Sequence, residues 1–319
     1  MKKFFSMLLT LILILTMTAA LADDPIKVGI IQMADNGAFT DMREGFIDRM
    51  RELGYDESKM TFPYHNAYGD MTQLVAHCDA ALNEGVDIAV TIATPPTQAF
   101  YNNNDSGIPQ FFISVSNPVG AGVITDMARP DKNVTGTSNA IPVEEMFKLC
   151  EQLTPGCKTF GILYCMSEIN SVTTAQQAKD YMDANGLSYV ETQVVNVSDV
   201  QREVEKLVEQ VDAIFIPNDS VIQSAMNVVA ESAAERGIPV YGSSAVMVQS
   251  GAFATISIAD RDIGAITADM VHAYLTGTPI EEIPAVVVDE FTMVINQTTA
   301  DMIGVTLTED VLNTAVIIK

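Results

Sequence analysis

Residues 27–31 read Lys27-Val28-Gly29-Ile30-Ile31, and residues 158–163 read Lys158-Thr159-Phe160-Gly161-Ile162-Leu163. Each run is apolar enough to form a buried strand, and each is followed by a loop and then by apolar residues at helical spacing. The predicted helices span about 43–53 in the first half and about 173–184 in the second, and a glycine ends each of them. The chain therefore begins the same strand–helix unit twice.

Both halves continue in the same order, with a strand, a helix and another strand. These segments lie at about 60–64, 71–83 and 86–90 in the first half and at about 188–195, 200–209 and 211–216 in the second. The next strand begins at Gly107-Ile108-Pro109 in one half and at Gly237-Ile238-Pro239 in the other. Apolar strands that alternate with helices form a parallel sheet that is covered on both faces. We therefore predict an α/β fold with two doubly wound parallel-sheet lobes.

Four loops follow predicted strands at their carboxyl ends, where open parallel sheets bind their ligands. They are Gln32–Phe39, Ala93–Gln98, Tyr164–Ser171 and Pro217–Val221. Each precedes a helix, so its free backbone N–H groups favour an anion such as a carboxylate. The alternative is that the polar side chains of these loops only cap the helices. Hydroxyl and amide partners in these loops are Thr94, Thr97, Ser167, Asn170, Ser171, Asn218 and Ser220, and Asp219 could pair with an ammonium group. Gln32, Asn36 and Pro95 are further candidate ligand-binding residues in the same loops.

The first 22 residues have the pattern of a secretory signal peptide. Lys2 and Lys3 precede an apolar run from Phe4 to Leu15, and Ala20-Leu21-Ala22 provides a small-x-small cleavage site. A membrane anchor is the alternative, although the apolar run is short for a span. No cysteine follows the run to carry a lipid, so we expect a protein that is secreted through this signal peptide and is soluble in the periplasm.

The charge of the chain excludes some classes of partner. The formal net charge is −24, from 41 acidic and 17 basic residues. Such a surface repels nucleic acid and anionic lipid. We therefore expect a small-molecule ligand and no nucleic acid.

The four cysteines do not form a disulfide framework, because they are few and scattered. Cys150 and Cys157 are close enough in sequence to be bridged in an oxidising compartment. The alternative is that they are two buried thiols.

No catalytic or cofactor-binding set stands out in the sequence. The three histidines, His65, His77 and His272, are far apart along the chain. There is no glycine-rich phosphate motif, no H-E-x-x-H and no paired C-x-x-C. We therefore expect no cofactor, no metal and no enzymatic activity.

At the same loops the sequence resembles a known family. It is similar to the bacterial ABC transporter substrate-binding proteins of the tryptophan/tyrosine-transport type, which have the type 1 periplasmic binding fold. The resemblance covers nearly all of the chain after the signal peptide. The segments that carry it are Val28-Gly29-Ile30-Ile31-Gln32, Gly45-Phe46, Ala93-Thr94-Pro95 with Gln98, Asn117-Pro118-Val119, Asn133-Val134-Thr135-Gly136, Tyr164 with Ser167-Glu168 and Asn170-Ser171, Pro217 with Asp219, and Asp262-Ile263-Gly264.

The resemblance implies an amino acid as ligand, with an aromatic or apolar side chain. It implies that Thr94, Asn170 and Ser171 hold the ligand carboxylate and that Asp219 meets the α-amino group. Its candidates to face the ligand side chain are Met33, Phe39, Tyr164 and Val221. Core packing is the alternative explanation for these last four residues.

Three positions depart from the pattern of the family. The family usually has histidine where Asn36 stands and aspartate where Asn117 stands, and it often has another aspartate where Ala259 stands. Asp260 is adjacent to the last position, but we expect it to point elsewhere. A desolvated ammonium needs a negatively charged partner, so these departures favour a ligand that is less cationic than a typical amino acid. A small carboxylate that is not an amino acid is the alternative ligand.

Members of this family cross between their lobes three times. We expect the crossings near 114–117, 243–246 and 284–288, which form a three-segment hinge. The first lobe is then 26–115 with 245–283, and the second is 116–244 with 284–319. The crossings add Ser116, Asn117 and Ser243 to the candidate ligand-binding residues.

The implied mechanism is hinge closure around the ligand. A ligand that touches both lobes favours the closed form by its higher affinity for that form. The protein, expected to be a monomer, would then hand the ligand to the permease subunits of an ABC importer. The alternatives are a ligand-sensing module that docks on a membrane receptor and a secreted enzyme.

Overall fold

The computed structural model describes residues 24–140 and 142–319. The predicted signal peptide, residues 1–22, lies outside the described residues. Within the described part of the chain, no helix has both the length and the apolar character that a membrane crossing requires.

The first lobe is built on a seven-stranded sheet in which every pair is parallel. Its strands are β1 (Ile26–Gln32), β2 (Met60–Thr61), β3 (Tyr64–Asn66), β4 (Ile88–Ile92), β5 (Gln110–Ile113), β6 (Val134–Ser138) and β12 (Val286–Val287). The strand order is β12-β6-β5-β4-β1-β2, and β3 also pairs with β1. The helices of this lobe are α1 (Gly37–Glu52), α2 (Met71–Asn83), α3 (Thr94–Asn103) and α10 (Asp260–Leu275), with a 3₁₀ turn at Ile280–Glu282.

The second lobe is also built on a seven-stranded sheet. Its strands are β7 (Thr159–Cys165), β8 (Ser188–Val194), β9 (Ala213–Phe215), β10 (Val240–Tyr241), β11 (Ala254–Ser257), β13 (Thr292–Asn296) and β14 (Val316–Ile318). The order is β14-β13-β11-β10-β9-β7-β8, and only the β11–β13 pair is antiparallel. Its helices are α4 (Val143–Leu153), α5 (Ile169–Asn185), α6 (Val200–Leu207), α7 (Ser220–Ser224), α8 (Met226–Ala234), α9 (Ala245–Gln249), α11 (Gln297–Met302) and α12 (Glu309–Thr314), with a 3₁₀ turn at Val197–Asp199.

The two sheets repeat one strand order, which confirms the predicted α/β fold with two doubly wound lobes. The neighbours β4, β1 and β3 of the first sheet correspond to β9, β7 and β8 of the second. The following strands, β5 and β10, begin directly after the two Gly-Ile-Pro segments. The antiparallel strand β13 was not expected from the sequence.

Both faces of the second sheet are covered, because alternate residues of β7 enter different cores. Leu163 and Cys165 belong to the cluster that contains α6 and α8 residues. Phe160, Ile162 and Tyr164 belong to the cluster beneath α4 and α5. This alternation follows from the two-residue period of a strand, and it fixes the direction in which each β7 side chain points.

The predicted lobe boundaries are wrong at all three crossings. Strand β6 pairs with β5 (Gln110 opposite Val134), so the first lobe continues past 115 to Ser138. Strand β11 pairs with β10 (Tyr241 opposite Ala254), so 245–257 belongs to the second lobe and not to the first. Strand β12 pairs with β6, so the first lobe extends beyond 283. Residues 114–133 contain no helix, which made the last strand of the first lobe look like the start of the second.

Candidate ligand-binding site

A cavity lies between the two lobes at the carboxyl ends of their parallel strands. Its empty volume is about 580 Å³ including the part open to solvent. All four predicted loops contribute to its lining. The lining residues are Ala38, Phe39, Met42, Ala93, Thr94, Ser114, Ser116, Asn139, Glu168, Asn170, Asn218, Asp219, Ser220, Gln223, Ser243, Ser244, Ser257, Ile258, Asp260 and Ile263.

The wall from the first lobe is mostly apolar. Phe39 and Met42 come from the first turns of α1, and Ile263 comes from the first turn of α10. Asn36 begins α1, since its side chain accepts a hydrogen bond from the N–H of Phe39 at 2.9 Å. This cap fixes the start of the helix and so the position of the Phe39 ring at the cavity.

The wall from the second lobe contains two buried carboxyl groups. Glu168 and Asp219 are 3 % and 4 % exposed. Asp219 Oδ2 accepts from the N–H of Cys165 at 2.6 Å and Oδ1 from the N–H of Ile222 at 2.8 Å. Glu168 accepts from the N–H of Ser220 at 3.2 Å and from the hydroxyl of the same residue. The two carboxyl groups therefore lie at one helix start, and no lysine, arginine or histidine of the described residues forms an ion pair with either.

The surroundings of this pair oppose its ionisation. Burial raises the pKa of Glu168 to about 8, and the nearby Asp219 carboxylate adds to the rise. Burial also raises the pKa of Asp219, although its backbone hydrogen bonds act in the opposite direction. Two buried like charges without a counter-ion are unfavourable, so a cation that enters the cavity would be bound strongly by the ionised pair.

Two buried polar atoms in the cavity lack a hydrogen-bond partner among the described residues. They are Thr94 Oγ1 and Asn170 Oδ1, and their residues are 2 % and 8 % exposed. Because an unpaired buried polar atom costs about 1–3 kcal/mol, such atoms favour a ligand that pairs with them. Thr94 can donate through its hydroxyl. Asn170 offers an acceptor, because its Nδ2 already donates to the carbonyl of Asn218 at 2.7 Å.

Two residues of the lining have strained backbones. Ala93 and Ser114 have φ values of 76° and 64°, although neither is a glycine. Each follows a strand of the first sheet, β4 or β5, and each lines the cavity. Strain of this kind costs about 1–3 kcal/mol and is concentrated at functional sites, so it supports a binding role for this cavity.

The structure brings part of the predicted ligand set to the cavity. The predicted residues that line it are Phe39, Thr94, Ser116, Asn170, Asp219 and Ser243. Asn117 instead lines an adjacent cavity, which shares Ser116, Asn218 and Ser243 with the first. The side chain of Asn117 accepts a hydrogen bond from the N–H of Gly120 at 2.8 Å and so stabilises a turn.

Three predicted side-chain contacts are wrong, because these residues pack in the cores. Met33 belongs to the core of the first lobe and Val221 to one core of the second. Tyr164 lies in the other core of the second lobe, and its hydroxyl accepts from Gln193 and donates to Glu191. For Tyr164 the cause is the strand alternation, which turns its ring toward α4 and α5.

The remaining predicted residues support the loops without lining the cavity. Gln32 donates to the carbonyl of Ala34, Ser167 contacts the Cys165 thiol, and Ser171 donates to the carbonyl of Asn218. Pro95 is buried in the first turn of α3, and Asn36 caps α1. Side chains cap two of the four helices that these loops precede, α1 and α7, so the anion-binding capacity of the loops is smaller than the sequence indicated.

Two acidic residues of the lining were not expected from the sequence. Glu168 stood inside a recognised motif but was assigned no role. Asp260 was expected to point elsewhere, yet it lines the cavity. With Asp219, three acidic side chains face the ligand space, and none of the lining residues is lysine, arginine or histidine. The cavity is therefore suited to a cationic group, contrary to the expectation of a less cationic ligand.

Comparison with known proteins gives a family match over nearly the whole described chain. The family model described as ABC transporter substrate binding protein matches residues 27–319. A protein of Clostridioides difficile named "Tyrosine-binding protein" is 30 % identical over 274 residues, which are 86 % of this chain and 79 % of that protein.

Of two similar solved structures, one contains a ligand and the other is ligand-free. One is an ABC domain from Streptococcus pneumonia in complex with L-Trp, with a TM-score of 0.88, 30 % identity and coverage of 92 % of this chain and 100 % of that chain. The other is the ligand-free, open structure of a substrate binding protein with adhesive properties from Clostridium difficile. Its TM-score is 0.71 and its identity 27 %, and the match covers 92 % of this chain and 99 % of that chain.

Proposed function

The chain belongs to the ABC transporter substrate-binding protein family, and from this premise we propose that it captures a free amino acid in the cavity between its lobes. The observation that carries the proposal is the pair of buried carboxyl groups, Glu168 and Asp219, in the same cavity as the unpartnered hydroxyl of Thr94. An amino acid has one group for each of these features, namely an ammonium and a carboxylate.

The ammonium group is assigned to the second lobe. Breaking a buried ion pair costs about 3–5 kcal/mol, so a buried acid pair without a cation favours a ligand that supplies one. The Oδ1 atom of Asn170 adds a neutral acceptor beside the acids. This assignment keeps the predicted role of Asp219 and moves Asn170 from the carboxylate to the ammonium.

The ligand carboxylate is assigned to Thr94 and the start of α5. The Thr94 hydroxyl is a buried donor without a partner, and α5 is a helix of 17 residues whose N-cap, Glu168, makes no side-chain capping bond. The N-cap side chain thus leaves its first N–H groups uncapped, and the helix dipole favours an anion there. A small carboxylate without an ammonium fits less well, because it would leave the acid pair without a cation.

The ligand side chain is assigned to the apolar wall of the first lobe. Phe39, Met42, Ile258 and Ile263 provide this surface, which suits an aromatic or aliphatic side chain. The names of the two amino-acid-binding relatives, one for tyrosine and one in complex with L-Trp, support an aromatic ligand.

Capture occurs by closure of the lobes over a ligand that touches both walls. At nearly equal identity, the chain is more similar to the L-Trp complex than to the ligand-free, open relative, which supports a closed arrangement here. The closed form is then presented to the permease subunits of an importer. We include in the proposal a soluble, periplasmic monomer that is secreted through residues 1–22 and returns its ligand chemically unchanged.

A melting experiment tests the proposal. The purified protein is heated with each of the common amino acids and with small carboxylates as the comparison set. A true ligand at about 100 times its dissociation constant adds roughly 2.7 kcal/mol of stability, which raises the melting temperature. A shift with small carboxylates but with no amino acid would contradict the amino-acid assignment.

The substitution Thr94→Val sharpens this test. It removes a hydroxyl that bonds no described residue, so the ligand-free protein should melt at nearly the same temperature. The shift produced by the amino acid should fall, because the carboxylate loses a donor. Thr276→Val changes an exposed threonine at the end of α10 and should leave the ligand shift unchanged.

A further inference from the structure

Asp260 is the one acidic residue of the cavity that comes from the first lobe. It lies in the first turn of α10, on the wall that Phe39, Met42 and Ile263 make apolar. Glu168 and Asp219 line the same cavity from the second lobe. The ligand space therefore has an acidic side chain on each wall.

Asp260 has no partner among the described residues, since none donates it a hydrogen bond or forms an ion pair with it. The adjacent Arg261 pairs instead with Glu44 at 3.1 Å and with Asp48 at 2.5 Å. Another acid, Asp41 of the facing helix α1, acts on Asp260 by charge repulsion. Burial and this neighbour raise the pKa of Asp260 to about 7.

An unpaired carboxyl group on an apolar wall is unfavourable unless a ligand group binds it. The ammonium subsite on the opposite wall already accounts for the α-amino group. Asp260 lines the same cavity as Phe39 and Met42, so a ligand side chain that packs against these two residues lies on the same wall as the Asp260 carboxyl group.

We propose that Asp260 selects amino acids whose side chain ends in a hydrogen-bond donor, such as a phenol or an ammonium group. This inference rests on the proposed amino-acid function and narrows its ligand class. A purely apolar wall would accept phenylalanine and tyrosine with similar affinity, whereas an acceptor on that wall disfavours the ligand that leaves it unpaired.

Two matched ligand pairs test the inference by calorimetry. L-Tyrosine is compared with L-phenylalanine, and L-lysine with L-norleucine, because each pair differs mainly at the end of the side chain. The wild-type protein should bind the donor-bearing member of at least one pair about 10-fold more tightly, as a hydrogen bond to a charged group predicts. The pair that shows the preference distinguishes a phenol from an ammonium.

The variants Asp260→Ala and Asp260→Asn separate recognition from folding. Asp260→Ala should bring the two affinities of the selective pair to within about 2-fold, mainly by weakening the donor-bearing ligand. Asp260→Asn keeps the size of the side chain and one acceptor oxygen but removes the charge, so it should reduce the preference without abolishing it and provides a second test if the alanine variant does not fold. Asp262→Ala removes an exposed acid from the same helical turn and should keep the wild-type preference.

The outcomes are distinguishable. If amino acids bind but neither pair shows a preference, or if Asp260→Ala weakens both members of a pair equally, the role of Asp260 is overturned while the proposed function stands. If none of the 20 common amino acids or norleucine binds, the proposed function and this inference both fail.

Discussion

Gly264 of α10 lies directly against the main-chain carbonyl of Met42 in α1. A Cβ atom at Gly264 would stand 2.0 Å from that oxygen. The contact is reciprocal, because a Cβ atom at Gly45 would stand 2.2 Å from the carbonyl oxygen of Arg261. Two glycines thus let the backbones of α1 and α10 touch, and this crossing holds Phe39 and Asp260 on one wall of the cavity.

Replacing Gly264 with alanine should force the two helices apart. We expect the free energy of unfolding to fall by about 1–3 kcal/mol, as for other overpacked sites, and ligand affinity to fall because the wall moves. Urea denaturation measures the first effect. Gly37→Ala is the control, since its Cβ would meet Val246 at an ordinary 3.4 Å, and equal stability of the two variants would contradict the expected clash.

The stability of the ligand-free protein should decrease as the pH rises. The pKa of Glu168 is raised from 4.5 to about 8, so the folded protein holds a proton that the unfolded chain releases. The stabilisation is complete below about pH 4.5 and is lost as the pH rises through about 8. Its size is on the order of a few kcal/mol, at about 1.4 kcal/mol per pKa unit.

The variant Glu168→Gln isolates the contribution of this carboxyl group. Urea denaturation at about pH 5, 7 and 9 should show a smaller decrease for the variant than for the wild type. Part of the decrease should remain, because the pKa of Asp260 is raised in the same direction. If the stability of the variant decreased with pH as steeply as that of the wild type, Glu168 would ionise in the folded protein without cost.

The elements of the fold could be predicted where a local pattern marks both ends of a segment. The helix at 71–83 has the predicted bounds, because Asp70 precedes a regular apolar spacing and a glycine follows soon after its end. Strand β12 has no such pattern. Its two valines are exposed, and only the neighbouring strand β6 makes it part of the first lobe.

The site could be predicted as four loops, but only some of its side chains could be predicted. The sequence indicates that Tyr164 and Asp219 follow strands, yet which strand face meets α4 and α5 depends on packing between distant segments. The position of Asp260 depends on the close crossing at Gly45 and Gly264. A single sequence contains these glycines but does not show that they face each other.

The contact between Ser116 and Asn218 should contribute to the closed arrangement. Asn218 Nδ2 of the second lobe donates to Ser116 Oγ of the first lobe at 3.4 Å. We expect Ser116→Ala to weaken the best amino-acid ligand about 5-fold, since one hydrogen bond contributes about 1 kcal/mol. Calorimetric titration measures the affinity, with the exposed Ser106→Ala of the same lobe as control. Equal affinities of the two variants would exclude a role for the contact in closure.

The cysteines should show one accessible thiol in the folded protein and four after denaturation. All four are free in the structure, and Cys157 is the only one that is not buried. Its reaction with a thiol reagent should be slow, because burial raises the pKa of the thiol and the thiolate is the reactive form. Cys157→Ser should abolish the native reaction and leave three thiols in denaturant. A count of two in denatured wild-type protein would instead indicate that Cys150 and Cys157 are bridged, and reduction before denaturation would then restore the count to four.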